Sequence, residues 1–336
     1  STSSVEPDAA LSDAAVVAVD AAADAPKAPP ARLQVVGSQV RDPLGVPIIL
    51  RGYNWGQWGT MQPQDAADNA AQGAKLVRIP LRWWGEWKPG VDSYSQAAPG
   101  HIDPAHLTVL DDMIAKAAGQ GLWIVLFVDS NYGQGANDRT DNFWTNAAKK
   151  QEFIEVWKFL LQRYAQQEKI AAWEIMPEPR PINASLDEVR EFYESIIPPL
   201  RALDPRTPFV IGPGDAYNLN KLASAYTTVD SNIIYTGDYF IFSNELARVP
   251  DIIDFRAAKN VPVWVNQIGI QSGDPDAELK ARNLLSALKT NDVGWAWWTY
   301  RGQTLSPDQH GIYYQDADDN WIVKPVWLAL LGSFLR

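Results

Sequence analysis

No cysteine occurs in the chain, and that absence removes disulfides, thiolate metal sites and a cysteine nucleophile together. Histidine is nearly as scarce. His101, His106 and His310 are the only three, too few and too scattered to suggest a metal cluster. Basic residues are outnumbered, with 29 Lys and Arg against 40 Asp and Glu, for a net charge of −11. A phosphate backbone needs a basic face, so nucleic acid is not an expected partner. No apolar run reaches the roughly 18–20 residues of a spanning helix, and no membrane span is expected. No Gly-rich phosphate turn follows the first strand-like segment, which weakens a dinucleotide-binding reading. No cofactor is called for, and a monomer is expected.

What the chain has in abundance is tryptophan, 15 in 336 residues. Most of these indoles belong to core or helix packing. A minority in a groove would suit the apolar faces of sugar rings.

Residues 1–32 differ from the rest. They hold 11 alanines, several prolines and no aromatic residue, a composition that cannot bury enough surface to offset its ordering entropy. We read them as a disordered linker without the basic start and apolar centre of a signal peptide. A spacer left behind a removed signal or lipid-anchor segment fits the missing cysteines and the acidic surface. The expected location is secreted, periplasmic or lipid-anchored at the cell surface.

From residue 33 the pattern is regular. The stretch 33–55 alternates as a short hairpin would around Asp42-Pro43 and Gly45. Near-continuous apolar runs recur at 46–52, 74–81, 122–128, 170–176, 208–212, 232–236, 261–266 and 293–299, with helical patterns between them at 104–121 and 147–167. Such runs are typical of parallel strands covered on both faces. Eight β–α units in one domain, 33–336, predict an α/β fold, a (β/α)8 barrel, over an open doubly wound sheet.

In a barrel the chemistry collects where strands end. Those positions carry Asn54, Trp55, Arg78, Asp129, Ser130, Glu178, Asp215, Asp238, Tyr239, Gln267 and Trp298. The set is acidic and aromatic with one arginine, and holds no Ser–His pair. Asp215, in "GPGDAYN", is as readily a helix cap as a site residue. Of the aromatics near strand ends (Trp55, Trp58, Trp83, Trp84, Trp87 and Trp298), Trp298 and Trp55 are the chosen stacking platforms. Strand alternation lets only one of Trp83 and Trp84 face the groove, and Trp84 is chosen.

Several segments, in order, resemble the family-5 glycoside hydrolases of the clan A barrels: "LRGYNW" at 50–55, "VRIPLRW" at 77–83, "AWEIMPEPR" at 172–180, "VPVWVNQIGI" at 261–270 and "WAWWTY" at 295–300. The resemblance implies a retaining mechanism, in which one carboxyl protonates the leaving oxygen and a carboxylate about 5–5.5 Å away attacks the anomeric carbon. Glu178 falls at the acid/base, Gln267 at the nucleophile, and Arg78 where it would orient that nucleophile. Arg78, Trp55, Trp84, Asp129, Asp238, Tyr239 and Trp298 are the implied substrate-binding residues, and the implied ligand is a β-linked oligosaccharide or polysaccharide.

Four positions depart from the family's pattern. An amide stands at Gln267, and an amide cannot form a glycosyl ester. Pro177 replaces the Asn that hydrogen-bonds the sugar 2-hydroxyl, Asp129-Ser130 stand where a His follows strand three, and Asp238 stands where a His precedes the strand-six Tyr. A trapped Glu-to-Gln substitution accounts for one of these, and drift from hydrolysis accounts for all four. Three readings follow: an endo-β-glucanase or mannanase lacking its nucleophile, a binding-only pseudoenzyme, and a hydrolase with a relocated base at Asp129, Asp215 or Asp238. Binding with little or no cleavage is the leading expectation.

Overall fold

The computed structural model describes residues 31–56, 60–84, 92–129, 143–181, 184–241, 244–270, 273–302 and 310–336. All but the last two residues of the expected linker lie outside these. Of those two, Arg32 already belongs to the fold: it is 4% exposed and its Nη2 donates to Ala165 O at 3.0 Å. The boundary expected between residues 32 and 33 therefore falls inside the described fold.

Two short strands, β1 (Gln34–Val36) and β2 (Gln39–Arg41), pair antiparallel. The expected turn at Asp42 exists, with Asp42 Oδ1 accepting from Leu44 N and Val46 N, but it follows the hairpin instead of joining its strands. The hairpin turns at Gly37 (φ +57°), a left-handed position that suits glycine.

Eight parallel strands then close a barrel: β3 (Arg51–Asn54), β4 (Leu76–Arg82), β5 (Trp123–Asp129), β6 (Ile170–Glu174), β7 (Phe209–Ile211), β8 (Ile233–Ile241), β9 (Val263–Ile270) and β10 (Gly294–Trp297), with β10 against β3. Helices α1 (Asp65–Gln72), α2 (Pro104–Gly119), α3 (Ala147–Arg163), α4 (Leu186–Leu203), the short α5 (Gly214–Tyr217) and α6 (Leu222–Ala225), α7 (Val249–Lys259), α8 (Ala277–Thr290) and α9 (Pro325–Leu335) cover it. A ribbon of β11 (Tyr313–Gln315) and β12 (Trp321–Val323) precedes α9. The closed sheet settles the choice against an open doubly wound fold.

Helix starts are written locally. Asp103 caps α2 by accepting from Ala105 N, with Pro104 in the first turn. Ser185 and Glu188 form a capping box at α4.

Two apolar layers result from strand alternation. Outward residues such as Val77, Ile79 and Leu81 meet the helices, whereas Leu50, Leu76, Val125 and Trp264 fill the lower barrel beneath the hairpin's Leu33 and Val40. The polar inward positions therefore lie above this apolar plug, toward the strands' C-terminal ends.

Candidate functional site

Inward-facing polar side chains form two levels. The lower is centred on Arg78, whose Nε and Nη2 each donate to Glu174 at 2.6 Å, while Nη1 donates to Asn54 Oδ1 at 2.8 Å. Asn266 Nδ2 adds a third donor to Glu174 at 2.9 Å, and Asn54 Nδ2 donates to Asn266 O and Ala296 O. Arg78, Glu174 and Asn54 are 0% exposed. A bidentate guanidinium–carboxylate pair with further amide donors offsets the cost of burying two charges.

The upper level holds Glu178, Gln267 and Asp238. Gln267 Nε2 donates to Glu178 Oε1 at 2.6 Å and to Asp238 Oδ2 at 2.9 Å. Arg180 Nη2 donates to the other oxygen of Glu178 at 2.9 Å. Two oxygens sharing one amide nitrogen at those distances lie within about 5.5 Å of each other.

Backbone irregularities aim these side chains. Along β9, Val263 and Val265 point outward, so plain alternation would send Gln267 outward too. The register slips instead: Thr236 pairs Trp264 but Asp238 pairs Gln267, and the pairing with β10 slips at the same place. This bulge brings Gln267 as well as Asn266 into the barrel. Glu178, between two prolines, adopts φ +40°. A non-glycine residue in that region stores roughly 1–3 kcal/mol of strain, a cost met at functional sites.

Electrostatics set the level apart. Burial, reinforced by the charge of Glu178, pushes the Asp238 carboxyl well above the usual carboxylate range, against the opposing pull of Arg78 from below. Asp238 Oδ1 is closed off from water and no donor reaches it. No group of His, Asp and Glu suited to a metal ion occurs among the described residues.

The other expected site residues divide. Trp298 is half-buried at the mouth, its ring against Gly56, where an added Cβ would meet it at 2.3 Å. Trp84 is half-buried, with Lys149 Nζ 5.1 Å from its ring, and Trp83 is fully buried against the helices, as alternation requires. Asp129 faces inward beside Arg82 at 3.4 Å. Asp215 sits inside the first turn of α5 and does not cap it.

Three expectations need correction. Trp55 is 2% exposed and donates from its indole nitrogen to Asn69 Oδ1 at 2.9 Å, so it packs under α1 and offers no stacking face. Tyr239 points outward into the core, where its hydroxyl accepts from Arg248 N. Arg78 lies below the site, with no exposed surface to touch a ligand, and its guanidinium is spent on Glu174 and Asn54. Trp58, Trp87 and Ser130 lie outside the described residues.

Sequence reading passed over Glu174 and Arg180. The signal for Glu174 was present: it shares the inward phase with Arg78 across the barrel, and an inward acid beside a buried arginine is its natural partner. A separate cavity of about 360 Å³, lined by Gln39, Arg256, Trp264 and Asp292, lies at the opposite end of the barrel and has no part in this cluster.

A model of the cellulase family, glycosyl hydrolase family 5, matches residues 42–304. The chain belongs to that family. This family-5 barrel is 24% identical over 197 residues to mannan endo-1,4-beta-mannosidase 2 of Oryza sativa subsp. japonica, covering 50% of this chain and 44% of that protein. It is 27% identical over 175 residues to mannosidase 3 of the same plant, covering 44% and 37%. The chain thus spans less than half the length of these curated relatives. Among solved structures, the catalytic domain of a mannanase from Streptomyces sp. SirexAA-E superposes with TM-score 0.67 at 19% identity, over 90% of both chains. An endoglucanase of Pseudomonas stutzeri does so with TM-score 0.68 at 17% identity, over 85% of this chain and 94% of that one. At such identities these two likenesses speak for the fold alone.

Proposed function

We propose that this family-5 barrel binds a β-1,4-linked glycan, mannan or glucan, across its mouth and holds it with little or no cleavage. One observation carries this reading: at the nucleophile position an amide bridges two carboxyl groups. An amide donates where the retaining mechanism needs a carboxylate to attack, so no glycosyl ester forms there. The bridge also engages Glu178, the acid by resemblance, through Oε1, while Arg180 engages Oε2.

Trp298 supplies the flat apolar floor for a sugar ring, with Trp84 a second platform. Asp129 and Asp238 supply polar contacts, and Asp238 replaces a family histidine. The substrate class is taken from the similar proteins, whose names speak of mannan and of an endoglucanase.

A relocated base at Asp238 is less well supported. The spacing from Glu178, within about 5.5 Å, is short of the roughly 6.5–9.5 Å that an inverting pair needs to admit water.

Calorimetric titration with mannohexaose and cellohexaose, alongside a reducing-sugar assay on both polymers, tests the reading. The expected result is binding of at least one hexasaccharide, weakened about tenfold in Trp298→Ala, a loss of about 1.4 kcal/mol. Sustained release of reducing ends by the chain as written would refute the proposal.

A further inference from the structure

Family resemblance expects histidines after strands three and six, and this chain has Asp129 and Asp238 there instead. Only three histidines exist, and two are engaged away from the mouth: His101 Nδ1 is 3.1 Å from Gln96 O, and His106 lies beside Asp103. The third, His310, comes from the chain between β10 and β11, and its ring stands over the barrel rim.

Strand register places it. Asp238 pairs with Gln267 across β8 and β9, and the next inward-facing pair is Phe240 with Gly269. Two residues of strand advance about 6.6 Å, so this pair is the rung directly above the amide bridge. A Cβ on Gly269 would point into the mouth, and it would meet Phe240 Cε1 at 2.9 Å and His310 Cδ2 at 3.0 Å. The imidazole and the phenyl ring, 5.2 Å apart and edge to face, therefore occupy the space a side chain at 269 would take. Glycine at 269 is what admits them.

The imidazole is anchored from behind, since His310 O accepts from Trp297 Nε1 at 3.2 Å. Its Nε2 is closed off from solvent and has no hydrogen-bond partner among the described residues. A buried polar atom without a partner is destabilising, and such atoms persist where something else supplies the partner. Burial, with the positive charge of Lys324 nearby, holds the ring below the usual imidazole value. It is therefore neutral at pH 7, so its Nε2 is able to give or take one hydrogen bond without a charge.

We infer that His310 is a ligand-contacting residue of the glycan site, its ring turning on sugar binding so that Nε2, closed off in the unliganded chain, exchanges a hydrogen bond with a hydroxyl of the sugar seated above the Glu178–Gln267–Asp238 bridge. The inference rests on the proposed glycan binding and deepens it. It assigns to a residue of the last loop a polar contact that the family's pattern places on strands three and six.

The test uses the full chain labelled with ¹⁵N-histidine, so that only three side chains report. Adding the hexasaccharide that binds should shift the His310 Nε2 resonance, assigned by its loss in His310→Gln, and leave His101 and His106 unmoved. Titrations should show binding about tenfold weaker in His310→Ala, with His310→Gln, which retains a polar group there, within about threefold of the unaltered chain. If His310→Ala folds poorly, the ¹⁵N spectrum of the unaltered chain and the His310→Gln titration still decide. Binding that is lost in Trp298→Ala but unchanged in both His310 variants, with an unmoved His310 signal, would overturn this inference alone. No binding of either hexasaccharide by the unaltered chain would overturn it together with the proposed function.

Discussion

The two polar levels of the barrel are built from similar groups and solve opposite problems. The lower one balances one guanidinium against one carboxylate, and Asn54 and Asn266 add further amide contacts. The upper one sets two carboxyl groups against a single amide, with a half-exposed Arg180 at the edge and an acceptor that no donor reaches. Complementary charges in a dry interior hold a structure together. Uncompensated ones leave bonding capacity open to a ligand, at some expense in stability. The difference separates the residues that keep the barrel closed from those that face what it binds.

The largest expected effect breaks the lower level. Removing one member of a buried ion pair strands its partner, so Arg78→Ala or Glu174→Ala should cost about 3–5 kcal/mol in denaturant titration. Asp238→Asn, one level up, should cost no more than about 1 kcal/mol, because an amide replaces a carboxyl whose charged form burial and Glu178 already disfavour. Equal losses at both levels would erase the contrast.

Next comes the bridge. In Gln267→Glu a third carboxyl replaces the amide that two others share, so the new group is crowded by like charge and resists ionisation. At most trace hydrolysis is expected. Adding Asp238→His, which removes one of the competing acids and restores the family's residue, should raise reducing-sugar release at least tenfold over the single variant. Robust turnover by Gln267→Glu alone would mean that the amide was the only missing part.

A smaller effect appears in the pH dependence. The folded protein holds a proton on Asp238 that the unfolded chain releases near the ordinary Asp value of about 3.9. Across the interval from there up to the raised folded value, the folded state binds more protons than the unfolded one. This group's contribution therefore falls as pH rises, and it is fully favourable only at the acid end. Melting curves of Asp238→Asn, set against the unaltered chain from pH 4 upward, should show the variant gaining relative stability with pH. A constant difference would place an ordinary carboxyl there.

The smallest effect separates two tryptophans. Trp55→Phe removes the indole bond to Asn69 and should cost about 1 kcal/mol of stability while leaving glycan affinity unchanged. Trp298→Ala should do the reverse. A loss of affinity in a folded Trp55→Phe variant would return Trp55 to the site.

Much of this was readable from residue order. Apolar runs of strand length separated by helical patterns predict the barrel, because parallel strands covered on both faces have no polar side to show. The same period of two predicts one of Trp83 and Trp84 against the helices, and Trp83 is the one buried there. Applied equally to "LRGYNW", it would have turned Trp55 outward once Asn54 faced in, and applied to "YTGDYF" it would have turned Tyr239 outward beside an inward Asp238.

The sequence by itself determined the barrel, the acidic and aromatic character of its mouth and the amide at position 267, since composition, period and residue identity are properties of the chain. Tertiary structure alone decided that Gln267 faces inward, that Arg78 serves Glu174, and that His310 reaches a rung belonging to two distant strands. The physical reason is the same in each case. A bulge is a mismatch between neighbouring strands, and an ion pair or a rim contact joins residues tens to hundreds of positions apart. Neither leaves a mark in the local pattern of a single strand.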